Sequence, residues 1–122
     1  MTPPSTRPRR RARNVRRIAL LALAVVGGAA ACTPQQQIAN IFGERYGEAE
    51  RVAWCESKLD PGAVSATNDH GLFQINAIHR NEFVEVTGQP WEMVYDGFWN
   101  TVYAKHLHDT QGWQPWTCRH AA

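Results

Sequence analysis

The chain has 122 residues, of which 43% are hydrophobic and 20% are charged, and its formal net charge is +2. This length allows one domain at most. The charge is unevenly distributed, because seven of the 13 basic residues are arginines within residues 7–17, whereas the first acidic residue is Glu44. The rest of the chain carries six basic and 11 acidic residues, a net charge near −5. A negative domain is not attracted to phosphate backbones, so we expect no nucleic-acid partner.

Residues 1–32 have the three parts of a secretory signal peptide. The arginine-rich start is followed by an apolar run over residues 18–31, which ends in three alanines. This order of charged, apolar and small residues is typical of secretory signals. The run is shorter than the roughly 20 residues that a membrane-spanning helix needs. A basic arm for nucleic acid would explain the arginines but not the apolar run, so we predict an exported protein of the cell envelope or the medium.

The three cysteines, Cys32, Cys55 and Cys118, form an odd number. The sequence around Cys32 resembles a bacterial lipoprotein processing site, with small residues before it and a polar segment after it. In that case Cys32 carries lipid and anchors the protein to the membrane, and Cys55 and Cys118 remain as an even pair in an oxidising compartment. Cleavage by an ordinary signal peptidase after the alanines is the alternative and leaves a free thiol.

Two helices are predicted after the signal. Residues 33–37 are polar and are expected to form a linker, so that the folded domain spans residues 38–122. Apolar residues at helical spacing predict a first helix over residues 38–42, which ends at Gly43. A second periodic segment runs from Tyr46 to Glu56. It ends at Asp60, because a residue before proline is pushed out of the α region.

The next segment contains the predicted β-structure. Residues 66–70 are rich in turn formers, and the alternation over Leu72–Asn76 predicts a short strand, one half of a small hairpin. Helical spacing returns over residues 78–86 and stops near Gly88. The pattern therefore predicts a mainly α (α+β) protein with several helices and one small β-hairpin.

A last helix is predicted over residues 97–109. Residues 91–95 are expected to form one helical turn before it, and Asp96 suits its N-cap position. We expect the buried face of this helix to hold Phe98 or Trp99, together with three residues at helical spacing: Val102, Tyr103 and His106.

Glu56 lies on the apolar stripe of its predicted helix, with Val52 and Ala53, close to the helix end. Desolvation raises the pKa of a carboxyl, so this position suits an acid that must hold its proton near neutral pH. Cleavage of a glycoside requires such an acid, because the leaving oxygen departs poorly without a proton. Position alone leaves an ordinary helix-end glutamate equally open.

Three motifs follow one another in residues 56–75: Glu56-Ser57, Pro61-x-Ala63-Val64-Ser65 and Gly71-Leu72-Phe73-Gln74-Ile75. This series resembles the signature of the soluble lytic transglycosylase (SLT) domains and, more distantly, that of goose-type lysozyme. Residues 96–107 resemble the helix that follows in that family, so the likeness covers about half of the mature chain. Residues 53–57 are also similar to the resuscitation-promoting muralytic domains, which indicates a compact, disulfide-containing actinobacterial or phage-type variant.

The resemblance implies a lysozyme-like fold, peptidoglycan glycan strands as the substrate and one catalytic glutamate, Glu56. It implies that Ser65 and Gln74 lie along the cleft. In such enzymes the glutamate protonates the oxygen between N-acetylmuramic acid and N-acetylglucosamine, and the substrate's N-acetyl group supports the positive charge at carbon. The glutamate then takes a proton from the sugar 6-hydroxyl, giving a 1,6-anhydro product, or from water, giving hydrolysis. A non-catalytic wall-binding lipoprotein that retains the cleft is the alternative function.

Three further residues have two interpretations each. Asp69 is the best candidate for a second carboxylate, or else a turn residue that bonds its own backbone. Asn76 binds sugar from the face that Gln74 occupies, or simply ends the strand. Tyr103 stacks on a sugar ring, or belongs to the core. The Ala-Tyr-Asn stretch that many SLT enzymes carry is not found, and residues 112–116 lie near its place.

We expect no cofactor, no metal and a monomeric protein. His106 and His108 are two residues apart on a predicted helix and point to different sides, which is poor geometry for a shared metal. A Cys55–Cys118 disulfide would close a loop of about 60 residues and, on the chain-entropy model, add about 4 kcal/mol of stability. It would also connect the C-terminal region to the neighbour of Glu56.

Overall fold

The computed structural model describes Thr2, Pro4 and residues 32–122. Apart from these few positions, the predicted signal peptide of residues 1–32 lies outside the described residues. Cys32 is exposed and forms no disulfide. Among the helices of the described part, none is long and apolar enough to cross a membrane.

Residues 32–122 form four α-helices and one two-stranded antiparallel sheet, which confirms the predicted mainly α fold with a small hairpin. In chain order the elements are α1 (Pro34–Phe42), α2 (Tyr46–Ser57), β1 (Asp69–His70), β2 (Ile75–Asn76), α3 (Arg80–Thr87) and α4 (Gly97–Gln111). Short 3₁₀ turns precede α2, α3 and α4, and a last one, the C-terminal turn, spans Thr117–Ala121.

Helix α1 begins at Pro34, so residues 34–37 are helical and do not form the linker expected from the sequence. Thr33 caps the helix. Its hydroxyl accepts the Gln36 N–H at 3.2 Å, and the Gln36 side chain accepts the Thr33 N–H at 2.9 Å. This reciprocal pair is a capping box, and proline is favoured in the first turn of a helix. The polar residues are thus a helix start.

Helix α2 buries Ala49, Val52 and Ala53 against the core. It ends at Ser57, before the predicted stop, because Lys58 and Leu59 both adopt left-handed backbone conformations with φ of +59°. The Ser57 hydroxyl donates to the Leu72 carbonyl at 2.7 Å. This bond fastens the end of α2 to the hairpin.

The hairpin is shorter than the sequence predicts. Asp69 pairs with Asn76 and His70 with Ile75, whereas the residues between them form the turn. Gln74 has a φ of +52°, which interrupts the extended conformation expected over Leu72–Asn76. A side chain at Gly71, where φ is +77°, would collide with Asn100 and the Val94 carbonyl, so the turn needs glycine there.

Helix α4 starts as predicted, because the Asp96 carboxylate accepts the N–H groups of Phe98 and Trp99 at 3.0 and 3.1 Å. Of the two aromatic residues predicted as alternatives for its inner face, Trp99 packs partly buried against the core and Phe98 is 39% exposed. Tyr103 is buried as predicted, whereas Val102 and His106 are only partly buried. The buried residues of α4 are mostly small or polar: Gly97, Asn100, Thr101, Tyr103, Ala104 and Leu107. Small residues let α4 lie close to α1, and a side chain at Gly97 would collide with Gln37.

The predicted disulfide between Cys55 and Cys118 is present, with 5.9 Å between the two Cα atoms. It joins α2 to the C-terminal turn. The Arg51 Nε donates to the Ala121 carbonyl at 2.9 Å and adds a second connection between the same two elements. The C-terminal region therefore lies against the helix that carries Glu56.

Candidate active site

Glu56 lies in the last turn of α2 and on its buried stripe, where its side chain is only partly exposed. Its Oε1 accepts the backbone N–H of Cys118 at 2.9 Å. Burial raises the pKa of the Glu56 carboxyl above its ordinary value, and the Cys118 hydrogen bond acts in the opposite direction. The negative charge of Asp69 adds to the rise, whereas the charge of His120 reduces it. The result is a carboxyl that keeps its proton to higher pH than an exposed glutamate.

Glu56 lines a depression of about 40 Å³ together with Asp69 and Gln74, and residues 115–117 form a further wall of it. A second depression of about 50 Å³ shares Asp69, Gln74 and two residues of that wall. It continues past Asn76 to His79. Because the two depressions share these residues, they form one groove, with Glu56 near one end and His79 near the other.

Asp69 is held by side chains from both sides of the hairpin. Its Oδ2 accepts the Ser65 hydroxyl at 2.9 Å and also the Thr67 hydroxyl, and its Oδ1 accepts the Asn76 amide at 3.0 Å. Burial acts to raise the pKa of Asp69, but the hydrogen bonds from Thr67, Asn76 and Ser65 outweigh it and hold the pKa below the ordinary value. Its carboxylate is therefore bonded by neighbouring side chains, which differs from a turn aspartate that bonds its own backbone.

Ser65 and Asn76 lie around Asp69. In the described part of the chain, Ser65 is absent from the groove lining, and its hydroxyl contacts Asp69 and Thr67. Asn76 lines the second depression, and its Oδ1 also accepts the Ile78 N–H at 3.0 Å. Both residues thus hold the Asp69 carboxylate in place, and Asn76 lines the groove as well.

Gln74 faces the groove from the hairpin turn. Its Nε2 donates to the Ala63 carbonyl at 3.2 Å and to the Gly71 carbonyl at 3.0 Å. These bonds fix the side chain on the turn backbone. Its Oε1 has no hydrogen-bond partner within residues 32–122, so it remains available as an acceptor.

Tyr103 does not lie in the groove. It is fully buried on the inner side of α4, and its ring packs 5.5 Å from that of Phe83 and 5.8 Å from those of His79 and His106, measured between centroids. A side chain without exposed surface cannot stack on a sugar. The structure therefore contradicts the predicted sugar contact and favours the core reading of Tyr103.

Sequence reasoning did not assign two residues that shape the groove. Trp116 forms part of one wall, is 4% exposed and donates from Nε1 to the Phe73 carbonyl at 2.9 Å. Asn100 of α4 holds the other side: its Oδ1 accepts the Phe73 N–H at 2.8 Å, and its Nδ2 donates to the His70 and Val94 carbonyls at 3.0 and 2.8 Å. The segment 112–116 that stands near the family's late motif was the available signal for Trp116.

A larger apolar depression of about 460 Å³ lies elsewhere, lined by Glu50, Arg51, Trp54, Cys55 and Ala121. Residues 50, 51 and 54 face away from the buried stripe of α2 that carries Glu56. Glu50 is the single carboxylate in its lining, so this depression lacks a carboxylate pair and is not the candidate site. Within the described residues, no group of three His, Cys, Asp or Glu side chains could hold a metal ion.

A family model described as "Lysozyme like domain" (SLT_3) matches residues 36–118. No curated protein and no solved structure matches the chain. The matched region contains Glu56, every other residue that lines the groove and both cysteines of the disulfide. Because the match covers about two thirds of the chain, the protein belongs to the lysozyme-like domain family.

Proposed function

We propose that this protein cleaves peptidoglycan glycan strands between N-acetylmuramic acid and N-acetylglucosamine, with Glu56 as the general acid and then the general base. Membership of the lysozyme-like family supports a peptidoglycan-related function and an envelope or extracellular location in general terms. One observation carries the finer proposal. The Glu56 carboxyl is partly buried in a groove with Gln74 and a second carboxylate, and burial raises its pKa.

In the first step, the Glu56 carboxyl donates its proton to the bridging oxygen as the bond between that oxygen and the sugar carbon breaks. The electron pair of the bond stays with the oxygen, which leaves as a hydroxyl of the departing sugar. An acid works best when its pKa lies near the working pH, because it must be protonated and still release the proton. The raised pKa of Glu56 moves it in that direction.

Asp69 is proposed to support the positive charge that develops on the sugar carbon. Its hydrogen bonds lower its pKa, so it stays ionised at a pH at which Glu56 still holds its proton. Two carboxyls in one site with opposite pKa shifts indicate one acid and one charged partner. The substrate's own N-acetyl group is the other candidate for this support, and the two are compatible.

In the second step, the Glu56 carboxylate accepts a proton. When the proton comes from the 6-hydroxyl of the same sugar, the oxygen of that hydroxyl bonds to the sugar carbon and closes a 1,6-anhydro ring. When the proton comes from water, the water oxygen bonds to the sugar carbon and gives a reducing-end sugar. Gln74 Oε1 and Asn76 are the proposed sugar contacts, since both side chains line the groove.

The test is mass analysis of products released from purified cell wall by the wild-type protein. Muropeptides ending in 1,6-anhydro-N-acetylmuramic acid indicate a lytic transglycosylase, and products heavier by one water molecule indicate a hydrolase. Either result supports glycan cleavage. A wild-type protein that pellets with the wall and releases no soluble fragment overturns the proposal and favours the non-catalytic wall-binding lipoprotein.

We also propose that the protein is exported and that Cys32 carries the lipid of a lipoprotein. Cys32 is exposed, and only Thr33 separates it from the start of α1. A lipid there would hold the domain directly at the membrane surface. Intact-mass measurement of protein extracted from membranes tests this: an added diacylglycerol mass supports lipidation, and an unmodified thiol contradicts it.

A further inference from the structure

The C-terminal turn contacts one particular oxygen of Glu56. Oε1 accepts the Cys118 N–H at 2.9 Å, whereas Oε2 has no hydrogen-bond partner within the described residues. A protonated carboxyl donates from one oxygen and accepts at the other. The Cys118 amide therefore directs the proton of Glu56 to Oε2, which leaves that O–H available to the groove.

We propose that the backbone amide of Cys118 is a positioning group for the Glu56 carboxyl, and that the Cys55–Cys118 disulfide holds this amide in place. The oxidised chain is then the active form. This inference rests on the proposed function, because it assumes that Glu56 is the acid.

The contacts of the C-terminal turn explain why the disulfide matters. Trp116, just before the turn, is buried and bonded to the hairpin. After it, Cys118 is the one buried residue of the turn, and Arg119 and His120 are exposed. Apart from the disulfide and the Glu56–Cys118 bond, the bond from Arg51 to the Ala121 carbonyl is the remaining side-chain hydrogen bond between the C-terminal turn and α2 in the described part of the chain. Since Cys55 directly precedes Glu56, the disulfide links the neighbour of the acid to the residue that supplies its hydrogen bond.

The amide has a larger effect after the proton has left. A donor aimed at an oxygen stabilises the carboxylate more than the neutral acid, so it favours the transition state in which Glu56 becomes charged. Loss of the donor therefore slows proton transfer and raises the Glu56 pKa. Asp69, from the hairpin, and His120, from the C-terminal turn, are the other charged groups that act on this carboxyl.

Two double variants separate the disulfide from the amide. Cys55→Ala/Cys118→Ala removes the disulfide and keeps the N–H, whereas Cys55→Ala/Cys118→Pro removes both. Cys118 has a φ of −84°, close to the value that proline fixes. We expect kcat on solubilised glycan strands to be about 10-fold lower for the proline pair than for the alanine pair. We also expect its Glu56 pKa, followed by ¹³C NMR of the carboxyl, to be higher, with the alanine pair between it and the wild type.

His120→Asn is a comparison variant that removes the charge of that residue and keeps the amide and the disulfide, so we expect it to raise the Glu56 pKa without the loss of kcat that removing the amide causes. Equal kcat and equal Glu56 pKa in the alanine and proline pairs overturn the proposal. If the proline pair does not fold, dithiothreitol carries the test on the wild type. Dithiothreitol delivers two electrons and two protons to the disulfide, which gives two cysteine thiols and the cyclic disulfide of the reductant. If the Glu56 pKa and kcat of the reduced protein equal those of the oxidised protein, the proposal is contradicted. The NMR titration needs no turnover, so a wild type without activity refutes the proposed function separately.

Discussion

Glu56 and Asp69 line the same depression, and their pKa values are shifted in opposite directions. The pKa of Glu56 is raised mainly by burial and further by the negative charge of Asp69. Burial acts to raise the pKa of Asp69, but hydrogen bonds from hydroxyl and amide donors of the hairpin outweigh it, so the pKa is lowered. The fold thus creates a range of pH in which Glu56 is protonated while Asp69, in the same groove, is ionised.

Asp69→Asn removes the negative charge beside Glu56. We expect the Glu56 pKa to fall, so that the basic limb of the pH–rate profile moves to lower pH. We also expect kcat to fall by about 10-fold or more through the loss of electrostatic support. Steady-state kinetics across pH check this. Glu85→Gln, exposed on α3, is the matched control and should leave both quantities unchanged. If the pH–rate profile of Asp69→Asn coincides with that of the wild type, the proposed electrostatic interaction between Asp69 and Glu56 is contradicted.

Glu56→Gln should stabilise the protein at neutral pH. A carboxyl whose pKa is raised by folding contributes its stability below the unfolded pKa and loses it as pH rises through the folded pKa. At pH 7 the partly buried charge of Glu56 therefore destabilises the wild type, whereas glutamine carries no charge. We expect a melting temperature a few degrees higher for the variant at pH 7 and a difference near zero at pH 3. Calorimetry at both pH values measures this, and a lower melting temperature at pH 7 contradicts it.

Asn100→Ala should destabilise the hairpin that carries Gln74. The change leaves the Phe73 N–H and the His70 and Val94 carbonyls without their buried partner. Unpaired buried groups cost about 1–3 kcal/mol each, so we expect a loss of about 3 kcal/mol or more. Urea unfolding measures it. Thr110→Ala, at the exposed end of α4, is the control, and a loss as small as that of the control contradicts the assigned role.

The Cys55→Ala/Cys118→Ala pair should unfold at lower urea concentration than the wild type. The disulfide closes a loop with a sequence separation of 63 residues. On the chain-entropy model its loss costs about 4 kcal/mol. Urea titration without reductant compares the two proteins, and the slope should change as well because the unfolded chain becomes less compact. If the variant and the wild type unfold at the same urea concentration, the expected contribution of the disulfide to stability is contradicted.

Sequence patterns predicted the elements that rest on local chemistry. The apolar spacing of α2 and the Asp96 cap are both present in the structure. The pairing of Cys55 with Cys118, which are 63 residues apart, was predicted from the cysteine count instead and is present as well. The start of α1 was missed, because a capping box built from Thr33 and Gln36 has the same composition as a polar linker.

The remaining differences depend on contacts between distant segments. The inner face of α4 includes Asn100, a polar residue that an apolar pattern excludes, because its partners come from the hairpin and the turn before α4. The strand is shorter than predicted because Gln74 adopts a left-handed backbone conformation. The alternation of residues in the sequence does not reveal this conformation. The groove wall formed by Trp116 likewise depends on a distant contact, because the Trp116 Nε1 donates to the Phe73 carbonyl, 43 residues away in sequence.

The most direct test of the central claim compares Glu56→Gln with Glu50→Gln, two changes on different faces of α2. Both proteins are incubated with purified cell wall at neutral pH, and the soluble muropeptides are measured by mass spectrometry. If Glu56 is the acid, the Glu56→Gln protein still pellets with the wall but releases no fragments above background, whereas Glu50→Gln releases as many as the wild type. Release at the wild-type rate by Glu56→Gln would contradict the account.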